Sequence, residues 1–438
     1  MKQRFKGSND LGVRWRSLVS AGPFLRVFDQ VFWSGAFFVF NLTASLVLQV
    51  DEYAFVAVSS SVAFVVLAVA RNFSVNARIV AGSVSGVGIA SSVSLKACYP
   101  AYVLLSAGVI LANYAAWLFI GKSSGVSVEI LICVTIMCVC MTFCDLPRQV
   151  LVYKGGYRTS LVLSVGYAGT SGVISVASLK THTSDALFVL LWAFATFSVL
   201  ATSLLVARGS RAERITTEAV PRSNEYSWRM GAEALYIGVA SQASVVLLYA
   251  TSDAYATEGV RLGYSLVYAP AVMLIQALQP FLLKYLSRSR IEGGDGSLKV
   301  VGWALSFCGL AFLGCAVAAL LVSAVFGSSF RGLESAVAFL IPVGLAVGTN
   351  QALEIAISAA RFRRRPQTIL RVRSVLLGFD LACQTVGVVF FGVGGLVFAL
   401  ILSSLIRVAS TVVIMYLPVS AGATASADHS ESGGVTGG

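Results

Sequence analysis

Charged and acid-base side chains are scarce in this sequence. Only 12% of the 438 residues are charged, 57% are hydrophobic, and there are two histidines, His182 and His429. His182 lies in a short predicted loop and His429 near the end of the chain, so no buried imidazole is available for a proton relay or a metal. No glycine-rich loop followed by Lys-Ser or Lys-Thr is present, which excludes a built-in ATPase.

The eight cysteines lack the spacing of a zinc site or a disulfide framework. All of them lie in apolar stretches, where we expect reduced packing residues. The sequence therefore predicts no metal site, no cofactor and no catalytic group, and the protein is not expected to be an enzyme.

Long apolar runs are abundant, and the mean hydropathy is +0.82. A membrane helix needs about 20 predominantly apolar residues. Twelve runs qualify, at residues 27–50, 54–70, 98–121, 128–146, 159–179, 184–207, 230–250, 262–283, 300–326, 335–360, 372–391 and 393–416. They predict an all-α polytopic membrane protein with about twelve transmembrane helices.

The lysines and arginines predict how these helices are oriented. With the N-terminus inside, 28 of the 32 basic residues fall on the inner side, and only Lys122, Lys180, Arg261 and Arg331 fall outside. Cytoplasmic loops carry this excess because cations resist translocation. Both termini are therefore predicted to be cytoplasmic. The net charge of +12 is explained by a collar facing the membrane surface, without a nucleic acid partner.

The chain divides into two similar halves. We predict a basic cytoplasmic tail over 1–26, a six-helix bundle over 27–207, a cytoplasmic linker over 208–229, a second six-helix bundle over 230–416 and a disordered tail over 417–438. The sequences at 51–54 and 253–256 resemble each other at an offset of 202 residues, and Asp29 and Glu233 lie at comparable positions in the two halves. Transporters built from such repeats place their substrate between the halves.

Polar side chains recur on single faces of several predicted helices. Gln30, Ser34, Asn41 and Ser45 share one face of the first helix. Later helices contribute Tyr268, Gln276, Asn350 and Gln384. These eight residues are our candidates for the lining of a central cavity, and hydrogen bonds between helices are the alternative explanation.

Three charges lie deep in predicted helices, namely Glu354, Asp380 and Arg407. A charge near the bilayer centre costs about 2.5 to 3.5 kcal/mol even on the lenient insertion scale. Each therefore needs a partner or water. A buried acidic pair neutralised by Arg407 and a site for a coupling cation or proton are both consistent with the sequence.

The opening of the chain resembles bacterial polysaccharide-biosynthesis flippases. The resemblance rests on Asp29-Gln30 through Asn41 and the short acidic turn 51–55, and in the second half on 261–265, Ala269-Pro270, Gln279-Pro280 and the basic loop 361–366. These flippases belong to the multidrug and oligosaccharidyl-lipid exporter superfamily. The resemblance implies two six-helix bundles around a central cavity, in a monomer of the bacterial cytoplasmic membrane, that carries a polyprenyl-diphosphate-linked oligosaccharide to the outer leaflet.

The resemblance also implies cations that bind the diphosphate. Near the inner mouth, Arg26, Arg71, Arg78, Arg148, Arg229 and Arg371 are the candidates. Membrane lipid, the lipid-linked oligosaccharide, a polysaccharide polymerase and glycosyltransferases are the implied partners. Two alternatives stay open: a cation-coupled drug or metabolite antiporter of the same superfamily, and an integral-membrane glycosyl-transferring enzyme, against which the short outer loops argue.

Overall fold

The computed structural model describes residues 21–84, 93–181, 183–209, 223–251, 253–268, 297–326, 331–361 and 366–416. These residues form helices joined by short turns and contain no strand. In the first half the helices are α1 (Ala21–Val47), α2 (Val50–Ala70, continuing through a π-helical segment Arg71–Asn76 into Ala77–Val84), α3 (Leu95–Ala116, ending in a π-helical turn Trp117–Gly121), α4 (Val128–Tyr153), α5 (Tyr157–Thr181) and α6 (Asp185–Gly209). The all-α prediction is confirmed.

The second half continues with α7 (Ser223–Ala250), a helix over 254–268 that we call α8, α9 (Ser297–Phe326) and α10 (Arg331–Arg361). A last helical stretch, Pro366–Tyr416, is broken at Gly392, where φ is 58° and ψ is −140°. We call its two parts, 366–391 and 393–416, α11 and α12. Glycine suits this break because a positive φ carries no penalty without a Cβ.

Ten helices of the described residues are long and apolar enough to cross a membrane. The last of these candidate spans, Ile369–Ile414, has 46 residues, about twice the length of one crossing, and the break at Gly392 divides it where the sequence predicts two spans to meet. The predicted eighth span extends beyond α8 into residues outside the described part. The chain is thus a multi-pass membrane protein, while its orientation stays a prediction.

The two halves meet mainly along α2 and α7. Within the first half α1 packs on α5 and α4 on α6, and in the second half α10 packs on α9 and on α11–α12. On α7, Gly231 lies against Phe73 and Gly238 against Val65. These glycines are two turns apart on one helix face, and small residues let membrane helices approach closely.

The start of α8 differs from the prediction, which placed Arg261 in an outer loop before a span at 262. The structure already has helix at 254, because the Asp253 carboxylate accepts the Ala256 backbone N–H at 2.9 Å and caps the helix. Arg261 is therefore two turns inside α8 and 3% exposed. Most of the predicted linker, residues 1–20 of the first predicted tail and all of the last tail lie outside the described residues, while residues 21–26 of the predicted first tail form the start of α1.

The turn between α11 and α12 generates a prediction about stability. A Cβ at Gly395 would overlap the Gly387 backbone carbonyl, whereas a Cβ at Gly394 would meet nothing within 4 Å. Gly395→Ala is expected to destabilise the protein by about 1 to 3 kcal/mol, because two backbones must move apart. Thermal unfolding of the purified protein in detergent measures this, with Gly394→Ala as the control. Equal unfolding temperatures for the two variants would contradict the packing.

Candidate functional site

Two aspartates and two arginines form a buried network in the first half, which we call the first-half cluster: Asp29, Arg71, Asp145 and Arg148. Arg148 on α4 contacts Asp29 on α1 at 3.2 Å and Asp145, one turn earlier on α4, at 3.6 Å. Arg71 binds Asp145 with two hydrogen bonds of 3.0 and 2.7 Å. Each carboxylate thus has a guanidinium partner, which is the condition for burying a charge.

Neutral groups complete this cluster. Ser160 and Ser164 of α5 donate to Asp29 at 2.9 and 2.6 Å, and Tyr102 donates to Asp145 at 3.2 Å. The Arg148 guanidinium lies 4.5 Å from the centre of the Trp33 ring, where a cation is attracted to the aromatic face. The cluster therefore joins α1, α2, α3, α4 and α5 into one bundle.

A corresponding arrangement occurs in the second half, and we call it the second-half cluster: Glu233, Glu354 and Arg373. Arg373 on α11 binds Glu354 on α10 through two hydrogen bonds of 2.6 and 2.8 Å. The same guanidinium forms an ion pair with Glu233 on α7 at 2.6 Å. In both halves an arginine bridges a carboxylate of the first helix and a carboxylate of the fourth. The arginine itself lies on the fourth helix in the first half and on the fifth in the second, and the repeat stays a prediction.

A second ion pair in this half joins α11 to α12. Arg407 contacts Asp380 at 2.6 Å and donates to the Ala346 carbonyl of α10 at 3.0 Å. The predicted group of Glu354, Asp380 and Arg407 is thus divided: Arg407 neutralises Asp380, and Arg373 neutralises Glu354. The direction in which each side chain leaves its helix decides the pairing.

A small cavity lies beside this ion pair, with room for roughly one water molecule. Its lining consists of Ser241, Tyr264, Tyr268, Ala346, Val347, Asn350 and Arg407. Two of the predicted cavity residues, Tyr268 and Asn350, come together here. The cavity belongs to the second half, since its walls are α7, α8, α10 and α12.

Arg261 forms a third polar group at the junction between the halves, which we call the junction cluster: Arg261, Asn41, Ser60, Ser61 and Gln242. The guanidinium donates to Ser60 at 2.9 Å and to the side-chain oxygens of Asn41, Ser61 and Gln242 at 3.3 Å each. Its carbon also lies 5.1 Å from the Phe64 ring centre. Among the described residues, no carboxylate forms an ion pair with it.

The remaining predicted cavity residues have other surroundings. Gln30 accepts from Arg148 at 3.4 Å, Ser45 donates to its own helix at Leu42, and Ser34 is partly buried. Gln384 is buried with its amide 3.5 Å from the Ala240 carbonyl. Gln276 lies outside the described residues. Gln30 and Gln384 thus contact neighbouring helices, as the alternative explanation of the polar faces expects, whereas Ser45 bonds within its own helix.

The six predicted headgroup arginines differ in their partners. Arg71 and Arg148 are held by carboxylates in the first-half cluster. Arg26 lies over the Tyr153 ring at 5.4 Å. Arg78 and Arg229 are partly buried and Arg371 is exposed. Arg148, the one of the six that is fully buried, and the partly buried Arg71 are thus already neutralised, and the structure adds the unpredicted Arg261 at the junction.

Asp145, Arg373 and Arg261 are the site residues that sequence reasoning missed. Asp145 and Arg148 are opposite charges three residues apart in an apolar run, a spacing that places them on one helix face. For Arg261 the available signal was Asp253, a favoured helix N-cap, which moves the helix start back to 254. No comparable signal in the sequence identified Arg373 as the bridge between two helices.

The pairing of Arg407 with Asp380, rather than with Glu354, generates a prediction about stability. Arg407→Leu leaves Asp380 as a buried charge without its partner, a change that typically costs about 3 to 5 kcal/mol. Adding Asp380→Asn is expected to restore much of the lost thermal stability, and adding Glu354→Gln instead is not. Thermal unfolding in detergent compares the two double variants. Rescue by Glu354→Gln would contradict the pairing.

Comparison with known proteins identifies the fold. No protein-family model and no curated protein matches the sequence. Among solved structures, an aspartate-to-asparagine variant of the MATE transporter VcmN from Vibrio cholerae is 14% identical over 95% of this chain and 98% of its own, with a TM-score of 0.59.

Two further solved structures are multidrug resistance MATE family transporters of the MOP superfamily. The outward-facing one is 12% identical over 90% of this chain and 96% of its own, with a TM-score of 0.59. The inward-facing one is 12% identical over 90% of this chain and 94% of its own, with a TM-score of 0.52. These structures are of transporters rather than enzymes. The fold of this chain is the fold of MATE transporters.

Proposed function

We propose that this protein is a transporter that works by alternating access of its two halves and is coupled to a cation gradient. The observation that carries the proposal is the MATE transporter fold over 90 to 95% of the chain. Buried polar groups at the junction of the halves add to it, because a polar interior between repeats is where such transporters bind cargo. The first proposed function is therefore that of an antiporter for a drug or metabolite.

The buried carboxylates of the second half support coupling. Glu233 and Glu354 share one guanidinium, that of Arg373, and Arg407 holds Asp380 nearby. A cation or proton that bound Glu354 would compete with Arg373 and thereby loosen the contact between α10 and α11. Intramembrane ionisable residues commonly mark such relays.

A lipid-linked oligosaccharide flippase is the second candidate function. The sequence resemblance supports it, and so does Arg261, because a buried guanidinium without a carboxylate partner suits a diphosphate better than a cationic drug. The same fold and the same rocking of two halves would serve this cargo. Both functions agree with a multi-pass protein, and they differ in cargo.

Coupling is tested in proteoliposomes that contain the purified full-length protein. We expect an imposed proton or sodium gradient to drive uptake of ethidium. In the Glu354→Gln, Asp380→Asn double variant, the gradient-dependent uptake rate is expected to fall at least about tenfold. Glu129→Gln, which removes an exposed carboxylate, is the control. Undiminished gradient dependence in a folded double variant would show that coupling does not run through these residues.

The flippase function is tested in the native host. A membrane-impermeant sugar probe measures the leaflet distribution of polyprenyl-diphosphate oligosaccharide with and without the gene. Accumulation on the inner leaflet, reversed by restoring the gene, would support the flippase. An unchanged distribution would reject it and leave the antiporter.

A further inference from the structure

Sulfur-containing side chains are concentrated on α4. The sequence has eight cysteines and six methionines, and four of the cysteines and two of the methionines lie between residues 133 and 144 of this helix. Five of these six share one helix face, because their spacings follow the helical period: Cys133, Met137, Cys140, Met141 and Cys144. All five are buried, with 9% exposure or less. Cys138 lies on another face of the helix.

The sulfur atoms of Cys140 and Cys144, one helical turn apart, face a common point. Cys144 donates to the Thr196 carbonyl of α6 at 3.3 Å, and the Tyr167 hydroxyl of α5 lies 3.3 Å from the Thr196 hydroxyl. Tyr167 interacts electrostatically with both thiols, and the two thiols interact with each other. The pair therefore lies in the interior between α4, α5 and α6.

Two thiols at this spacing can hold one metal ion between them. The Cβ atoms of residues four apart on a helix face are about 5 to 6 Å apart, so both Sγ atoms can turn toward one ion. Thiolates and thioethers are soft ligands that select Cu(I) over hard cations, and Met141, between the two cysteines in sequence, carries a thioether. Among the described residues, no three His, Cys, Asp or Glu side chains converge. The pair thus suits an ion that accepts two thiolates, rather than the four-ligand site of structural zinc.

Arg148 places a positive charge beside this pair. It follows Cys144 by four residues, one turn further along α4, and interacts with it electrostatically. The Arg148 Nε–H is buried and has no hydrogen-bond partner in the described part of the chain, and a thiolate at Cys144 would be an acceptor for it. Two thiolates around a monovalent ion carry one net negative charge, which a neighbouring guanidinium stabilises. Asp145, also near Cys144, is itself bound by Arg71.

We propose that Cys140 and Cys144 bind one soft monovalent metal ion, Cu(I) or Ag(I), in the interior of the first half. Binding releases the two thiol protons and forms two metal–sulfur bonds, and the oxidation state of the metal does not change. The hydrogen bond from Cys144 to Thr196 is lost in exchange. The sequence alone led us to expect packing residues here, but leucine or valine would serve packing equally well. This site is additional to the proposed transport function and does not depend on it.

The test is an anaerobic competition titration of the purified full-length protein in detergent. Cu(I) is supplied as its coloured complex with bathocuproine disulfonate, and the loss of absorbance measures how much Cu(I) the protein takes from the chelator. We expect the protein to bind one Cu(I) per chain, to release it to Ag(I) and to retain it in excess Zn(II). X-ray absorption at the copper edge is expected to show sulfur ligands.

Substitutions of single thiols test whether the two cysteines share the ion. Cys140→Ser and Cys144→Ser are each expected to weaken Cu(I) binding at least about a hundredfold, since even groups outside the ligand shell are worth about 10- to 100-fold. Each variant should lose the whole equivalent rather than half of it, because the ion needs both thiols. Cys138→Ser is the matched control: this thiol is buried on the same helix but contacts Asn113 of α3, and the variant should bind Cu(I) normally.

Thermal unfolding gives a second readout and shows that each variant is folded. Cu(I) is expected to raise the unfolding temperature of the unsubstituted protein and of Cys138→Ser, because a ligand of the native state stabilises it, and to leave Cys140→Ser and Cys144→Ser unchanged. Should a serine variant not fold, the alanine variant at the same position replaces it. Failure of the unsubstituted protein to take Cu(I) from the chelator, undiminished binding in Cys140→Ser or Cys144→Ser, or an equal loss in Cys138→Ser would overturn the proposal.

Discussion

Every charge that this chain carries into the membrane must find its partner inside the protein. Lipid offers no hydrogen bonds, so a buried carboxylate or guanidinium left without a partner is expensive. The chain meets this constraint with arginines that join helices distant in sequence: Arg148 reaches from α4 to Asp29 on α1, and Arg373 from α11 to Glu233 on α7. The arrangement of the helices in the two bundles depends on these contacts. The apolar helix surfaces resemble lipid, so apolar contacts alone favour no particular neighbouring helix.

The first-half and second-half clusters differ from the junction cluster in the partners of their arginines. Within each half, arginines and carboxylates neutralise each other and hold the bundle together. Between the halves, Arg261 meets only neutral oxygens of Asn41, Ser60 and Ser61. The proposed alternating access requires strong contacts inside the bundles and weaker contacts between them. At Gly231 and Gly238, α7 of the second half approaches α2 of the first half closely, and the contacts there are apolar.

The sequence was sufficient for the all-α fold, and it placed the apolar spans well, because only helices and closed barrels satisfy the backbone in lipid. It also predicted comparable positions for Asp29 and Glu233, each of which contacts an arginine of its own half. It could not show which arginine pairs with Glu354, since that depends on how α10 and α11 are rotated about their axes. Arg261 was misplaced for a different reason: the apolar run was started at 262, whereas the cap at Asp253 determines where the helix begins.

Alternating access, as proposed, means that one interior site is reached from each side of the membrane in turn. Labelling of a Ser241→Cys variant in a cysteine-free background measures this, with an impermeant maleimide applied to right-side-out and to inverted vesicles. Ser241 lines the small cavity beside Arg407. We expect labelling from both sides, and any condition that increases labelling from one side should decrease it from the other. Labelling from a single side under every imposed gradient would rule out alternating access to this site.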